Sequence, residues 1–205
     1  VKDLTAKITD FFSSYWQRSD YSGKYLQTGF SDWLKLSMKD EEFKKSSEEQ
    51  KQKIVEVFCR ETAYVLVGRI LFIRICEDKG ILEPSLSGKR FAEFLKFFEK
   101  RGNVYLRAFY DSREEIKKYY SHLHELGFFD WWWISPDKIG FLTHEDRGIQ
   151  GHLEADLDYQ IKGCLRRLNR FDFEQVDRDI LGDVYQGYLP PDERKRLGEF
   201  YTPKE

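Results

Sequence analysis

Residues 54–80, IVEVFCRETAYVLVGRILFIRICEDKG, constrain the fold more than any other stretch of the chain. Between Val65 and Cys76 the run is apolar almost all round, interrupted only by Gly68, Arg69 and Arg74. The β-branched residues Val65, Val67, Ile70, Ile73 and Ile75 suit a buried strand, but the length without a breaker selects a helix. A helix that is apolar on every side must be enclosed by other elements. Its start is written in Ser46-Ser47-Glu48-Glu49-Gln50, a cap followed by acidic first-turn residues, and its stop in Gly80. The expectation is a mainly α-helical bundle around a long buried central helix at about residues 47–79. Arg69 and Arg74 are expected to pair with Glu77 or Asp78, or to reach their heads to water, rather than hold a phosphate.

Amphipathic segments suited to covering such a helix lie on both sides of it. Residues 3–16 place Leu4, Ile8, Phe11, Phe12, Tyr15 and Trp16 on one helical face. After a break at 19–23, residues 25–36 supply Tyr25, Leu26, Phe30, Trp33 and Leu34. Residues 87–100 form another helix, with Phe91, Phe94, Leu95 and Phe98 on a stripe and Gly102 as its stop. Residues 104–126 continue helical, with a break or kink near Asp111-Ser112. His122 and His124, two apart, face different sides and do not share a metal.

Residues 128–142, FFDWWWISPDKIGFL, change the texture, and Ser135-Pro136-Asp137 reads as the turn of a short β-hairpin near residues 131–142. Trp131, Trp132 and Trp133 are read as core or interface residues in preference to a base-stacking platform. Residues 153–169 return to helix. There Lys162, Arg166 and Arg170 recur every four residues with Arg167 beside them. The stripe is either a solvated face set against the helix dipole or a contact to DNA backbone phosphates.

Composition narrows the partners. The chain holds 17 Phe, 12 Tyr and 5 Trp, ample for a core, yet a formal net charge of -2 rules out a basic envelope around nucleic acid. Any such contact must come from a local patch or from sequence outside this chain. Cys59, Cys76 and Cys164 are odd in number and far apart, which fits buried free thiols in a reducing cytoplasm. No run is long and apolar enough for a membrane span, and VKDLTAKITD has no signal-peptide core. Glycine-rich phosphate loops, a nucleophile elbow and zinc-ligand spacings are all missing from the sequence, so no catalytic or metal-binding residue is assigned. Asp137 with Glu145, Asp146 and Arg147 is only loosely similar to the carboxylate spacing of Mg²⁺-dependent nucleases. His144 and His152 flank that loop without a nucleophile.

Two stretches resemble a known family. RILFIRICEDKGIL (69–82) is similar to the helical region ahead of the catalytic domain in large adenine-N6 DNA methyltransferases, notably single-chain type IIG restriction–modification enzymes. DRDILGDVYQGYLPPDERKRLGEFYTPKE (177–205) resembles the junction of those enzymes and of type I modification subunits. There Gly182, Tyr185 and Leu189 precede Leu197-Gly198-Glu199-Phe200-Tyr201-Thr202-Pro203; Gln186-Gly187 departs from the glutamate the family often carries. The resemblance implies transfer of a methyl group from S-adenosylmethionine to adenine N6 after base flipping. It also implies that Tyr201, Thr202 and Pro203 lie against the cofactor. The glycine-rich cofactor loop and the Asn-Pro-Pro-aromatic motif would follow Glu205.

The expectation is therefore a helical domain over residues 1–180 and a junction over 181–205 leading into a methyltransferase domain beyond Glu205, the whole cut from a larger cytoplasmic enzyme of a restriction–modification or phage-defence system. Its partners would be double-stranded DNA, through the parent enzyme, and its own methyltransferase domain, with no membrane; the piece alone would be inactive and would not hold S-adenosylmethionine. The competing readings are a stand-alone helical interaction module and a Mg²⁺-dependent nuclease domain using Asp137 and Glu145.

Overall fold

At Ser47 the Ser-x-x-Gln pattern closes on itself. The Ser47 hydroxyl accepts the Gln50 amide at 3.4 Å, and the Gln50 side-chain oxygen accepts the Ser47 amide at 2.9 Å. In the computed structural model, which describes residues 2–36, 40–98, 100, 102–118, 127–133 and 142–175, this box opens a 31-residue helix. Seven α-helices occur among the described residues: α1 (Lys2–Trp16), α2 (Tyr21–Leu36), α3 (Asp40–Lys45), α4 (Glu48–Asp78), α5 (Gly88–Phe98), α6 (Val104–Lys117) and α7 (His144–Leu168). A 3-10 turn spans Phe128–Asp130, and no strand occurs among the described residues. The chain is mainly α.

α4 ends at a glycine because the backbone must turn left-handed there. Gly80 has φ 68°, its amide donates to Glu77 O at 3.0 Å, and the Ile81 amide donates to Cys76 O at 2.9 Å. This pair of bonds satisfies carbonyls that the last turn would leave orphaned. From Val57 to Asp78 no residue of α4 is exposed. α1, α2, α3, α6, α7 and the 3-10 turn all pack on it, whereas α5 rests on α6. The contributing faces follow helical spacing: Leu4, Ile8, Phe12 and Tyr15 from α1; Leu26, Phe30, Trp33 and Leu34 from α2; Leu153, Leu157, Ile161, Cys164 and Leu168 from α7. Phe58 joins the aromatic group, 5.5 Å from Phe30, 5.6 Å from Trp33 and 5.7 Å from Phe129, ring centre to ring centre. No helix among the described residues is long and apolar enough to cross a membrane.

Several boundaries differ from the sequence expectation for identifiable reasons. α2 begins at Tyr21 rather than at residue 25, because Asp20 caps it: its carboxylate accepts the Gly23 amide at 3.2 Å. Gly23 is required there, since a Cβ would sit 1.9 Å from the Arg18 carbonyl oxygen. α6 runs through Asp111-Ser112 without a break; the Ser112 hydroxyl is absorbed by its own helix, donating to Ala108 O at 2.7 Å. α7 starts nine residues early, at His144, where the Thr143 hydroxyl accepts the Asp146 amide at 3.1 Å. The stretch read as loop between His144 and His152 is carried inside the helix, Gly148 and Gly151 included.

The expected hairpin is not formed by its described arm. Trp131 and Trp132 continue the 3-10 turn, with the Asp130 amide on Gly127 O (2.9 Å) and the Trp133 amide on Asp130 O (2.8 Å). Those i to i+3 bonds use the donors a strand ladder would need. Residues 134–141 lie outside the described set. The reading of the tryptophans as packing residues holds: Trp131 and Trp132 are buried and Trp133 is half-buried. Trp131 meets Phe12 at 5.4 Å and Trp132 stacks parallel to Tyr110 at 6.3 Å.

The three cysteines are free and buried, Cys59 and Cys76 on α4 and Cys164 on α7. Burial pushes the thiol of Cys59 up to about 11 and that of Cys164 up to about 12, and also raises Cys76.

Candidate functional site

α7 buries one face, so the residues between its core positions must look elsewhere. The four cations singled out from sequence are divided by this geometry. Lys162 lies with its ammonium 5.4 Å from the centre of the Tyr105 ring, a cation–π contact to α6. Arg167 reaches back to α1, where its Nη1 is 2.5 Å from Asp3 Oδ2; this hydrogen bond holds the Asp3 carboxyl below the usual range. Arg166 and Arg170 are exposed at the C-terminal end of the helix, where the dipole favours positive charge. Only this last pair keeps the arrangement that a phosphate contact needs. An exposed arginine fork offers several donors in one plane and suits a phosphate oxygen pair.

Beside Arg170 the surface gives way to a buried polar network. Arg74, on α4, is 2% exposed, and its guanidinium is shared among four partners. Nε donates to Asn169 Oδ1 at 2.8 Å, Nη1 to Glu77 Oε2 at 2.8 Å and Ser87 Oγ at 2.9 Å, and Nη2 to Asp78 Oδ2 at 2.9 Å. Glu77 in turn accepts from the Ser85 amide (2.7 Å) and hydroxyl (2.9 Å), the Leu86 amide (2.7 Å) and the Ser87 hydroxyl (2.8 Å). One carboxylate thus pins the 85–87 segment that follows α4. Asp78 accepts the Phe173 amide at 3.0 Å, Lys79 donates to Glu174 O at 3.5 Å, and Asn169 donates to Leu86 O at 3.0 Å. The chain leaving α7 is therefore tied down on the end of α4.

The expectation for Arg74 holds, with Glu77 and Asp78 both engaged. Arg69 differs: its guanidinium pairs with Asp130 of the 3-10 turn, with Nη2 3.2 Å from Oδ2, instead of with the acids on its own helix. Five residues apart on α4, and so on different sides of it, Arg69 and Arg74 face different neighbours. Asp130 also accepts the Gly127 amide at 3.0 Å, so it caps its own turn and fixes that turn on α4. Sequence reading passed over Asp130, as it did Arg113, which is buried on α6 with its guanidinium 5.8 Å from the centre of the Trp133 ring. Burial holds Arg113 below the usual arginine range. Nothing local in the sequence marks either one, because their partners come from distant elements.

The remaining candidates do not converge. Glu145 and His144 are exposed in the first turn of α7, Asp146 serves the Thr143 cap, and the Arg147 side chain donates to Leu142 O at 3.2 Å. His152 is exposed on the same helix. Asp137, His122, His124, Tyr201, Thr202 and Pro203 lie outside the described residues, as does the whole 181–205 junction. No group of three or more His, Cys, Asp or Glu among the described residues is placed to hold a metal ion. An open pocket of about 530 Å³ lies between the 81–85 loop and α6, lined by Glu83, Arg90, Asp111 and Glu115 among others. Asp111 is exposed as a residue, yet partial desolvation of its carboxyl raises it there, against the pull of Arg107. Comparison of the chain with protein-family models, with curated proteins and with solved structures gives no match.

Proposed function

We propose that this chain is a helical N-terminal or connector part of an S-adenosylmethionine-dependent DNA adenine-N6 methyltransferase of a restriction–modification or phage-defence system. The observation that carries the reading is the sequence of residues 177–205, with Gly182, Tyr185 and Leu189 followed by Leu197-Gly198-Glu199-Phe200-Tyr201-Thr202-Pro203. In this reading α4 is the centre of a bundle that braces a catalytic domain following Glu205. Tyr201, Thr202 and Pro203 would meet the methionine end of the cofactor, and Arg166 and Arg170 would touch DNA phosphates. Lys162 and Arg167, drawn into contacts with Tyr105 and Asp3, would assist only by raising the local potential.

The exit of α7 supports the bracing role. The segment 169–174 is held on the end of α4 by Asn169, Phe173 and Glu174, so the chain sets out towards the junction from a fixed place. A connector transmits position only if its attachment is rigid. The protein encoded by the complete reading frame, incubated with S-adenosylmethionine and mixed-sequence plasmid DNA, is expected to yield N6-methyladenine. A frame that lacks a glycine-rich loop and an Asn-Pro-Pro-aromatic motif after Glu205 would overturn the proposal.

A further inference from the structure

α5 carries more apolar side chain than its neighbours can cover. Phe91 is buried and meets Tyr105 of α6 at 5.9 Å, while Phe94 and Leu95 are half-buried against the core. Phe97 is left 74% exposed, in edge contact with Phe98 at 4.9 Å. One cation is placed on this pair and two more adjoin it in sequence. The Arg107 guanidinium lies 5.5 Å from the centre of the Phe98 ring, and Lys96 and Lys100 are exposed on either side of Phe97 in sequence. Residues 96–107 carry Lys96, Lys100, Arg101 and Arg107 against the single acid Glu99, in a chain whose net charge is -2. The acid on the outer face of α5, Glu93, is already matched by Lys89 at 3.8 Å. Asp111, one turn on from Arg107 and facing its charge, offsets part of this, and the sequence about the exposed ring keeps an excess of positive charge.

We propose that the C-terminal half of α5, with Arg107 of α6, is a contact surface for an unpaired nucleic-acid strand. Phosphates would sit at Lys96, Lys100 and Arg107, and one base would stack on Phe97. A ring flanked by cations is the pairing that single-strand readers use, because every base offers a π face and every nucleotide a phosphate. The competing occupant is an anionic membrane surface. An interfacial helix needs its whole apolar face free for lipid, and here Phe91, Phe94 and Leu95 are turned inward, leaving one ring exposed. The surface is built from α5 and α6 rather than from α7, and it does not depend on a methyltransferase domain following the chain.

The test is fluorescence anisotropy of the chain with a labelled oligothymidylate of about twenty nucleotides, long enough to cross a single-strand site. The controls are the matched duplex and vesicles rich in phosphatidylserine. Binding to the single strand is expected to exceed binding to the duplex, and Phe97→Ala is expected to weaken it about tenfold, within the range of one lost stack. The double variant Lys96→Gln/Lys100→Gln should make the log–log salt dependence shallower by about 1.4, two single-strand phosphates' worth. Phe97 is on the surface, so a circular dichroism spectrum equal to wild type is expected for these variants. No oligothymidylate binding, equal binding by Phe97→Ala, or binding to vesicles instead would each overturn the proposal. Loss on Arg166→Ala/Arg170→Ala with no effect of Phe97→Ala would place strand binding on α7 and also overturn it.

Discussion

The C-terminal ends of α4 and α7 both present arginines, and the two ends touch through Asn169, yet their arginines have opposite fates. Arg74 is enclosed by Glu77, Asp78, Ser87 and Asn169. Arg166 and Arg170 stand in water. A buried guanidinium is tolerable only when acceptors replace the solvent it has lost, so Arg74 is committed to its partners and unavailable to any ligand. The exposed pair has made no such commitment. Charge type and helix position are the same at the two ends; the supply of nearby carboxylates makes the difference.

The largest expected effect that tests this contrast is Arg74→Ala, which leaves Glu77 and Asp78 crowded together in the interior without their counter-ion. Unfolding in urea should show a loss of about 3–5 kcal/mol, as expected for breaking a buried pair by removing one partner. A loss below about 1 kcal/mol, the level of an exposed pair, would erase the distinction between the two ends. Asn169→Ala comes next. It removes the bridge between the ends and is expected to cost about 1–2 kcal/mol, with faster amide hydrogen exchange over residues 170–175. Unchanged exchange there would mean that Asp78 and Lys79 suffice to hold the exit. Arg166→Ala/Arg170→Ala should leave stability within about 0.5 kcal/mol and, under the proposed function, make the salt dependence of duplex binding by the protein of the complete reading frame shallower by about 1.8. An unchanged slope would return both residues to a merely solvated face. The smallest effect belongs to Asp3→Asn, which frees Arg167 from a fully exposed partner. The thermal midpoint at neutral pH is expected to stay where it is, and a measurable drop would show Arg167 to be structural like Arg74.

Much of the architecture was legible because it is local. The Ser47 cap, the Gly80 stop and the apolar spacing of α1 and α2 are properties of a few neighbouring residues. Errors arose where a local signal had two outcomes. Asp20 and Gly23 read as a break and turned out to be a cap followed by a close backbone approach. The stretch between His144 and His152 read as loop and sits inside α7 because Thr143 starts the helix ahead of it. Long-range partners were hidden for a different reason. Arg74 was assigned correctly since Glu77 and Asp78 share its helix, whereas Arg69 depends on Asp130, 61 residues away. Of the candidate site, the basic stripe was visible as a pattern, but which of its members would be spent on Tyr105 and Asp3 required the packed arrangement.

The buried thiols give the molecule an internal clock. A thiol reacts as its thiolate, and Cys59, Cys76 and Cys164 are both shielded and held in the protonated form. Their modification by an aromatic disulfide in native buffer can therefore proceed only as fast as the helices that cover them come apart. Cys59 and Cys76 mark two points seventeen residues apart on α4, and Cys164 marks α7. The order in which the three are labelled would record which part of the bundle opens first, without any probe having to be added to the chain.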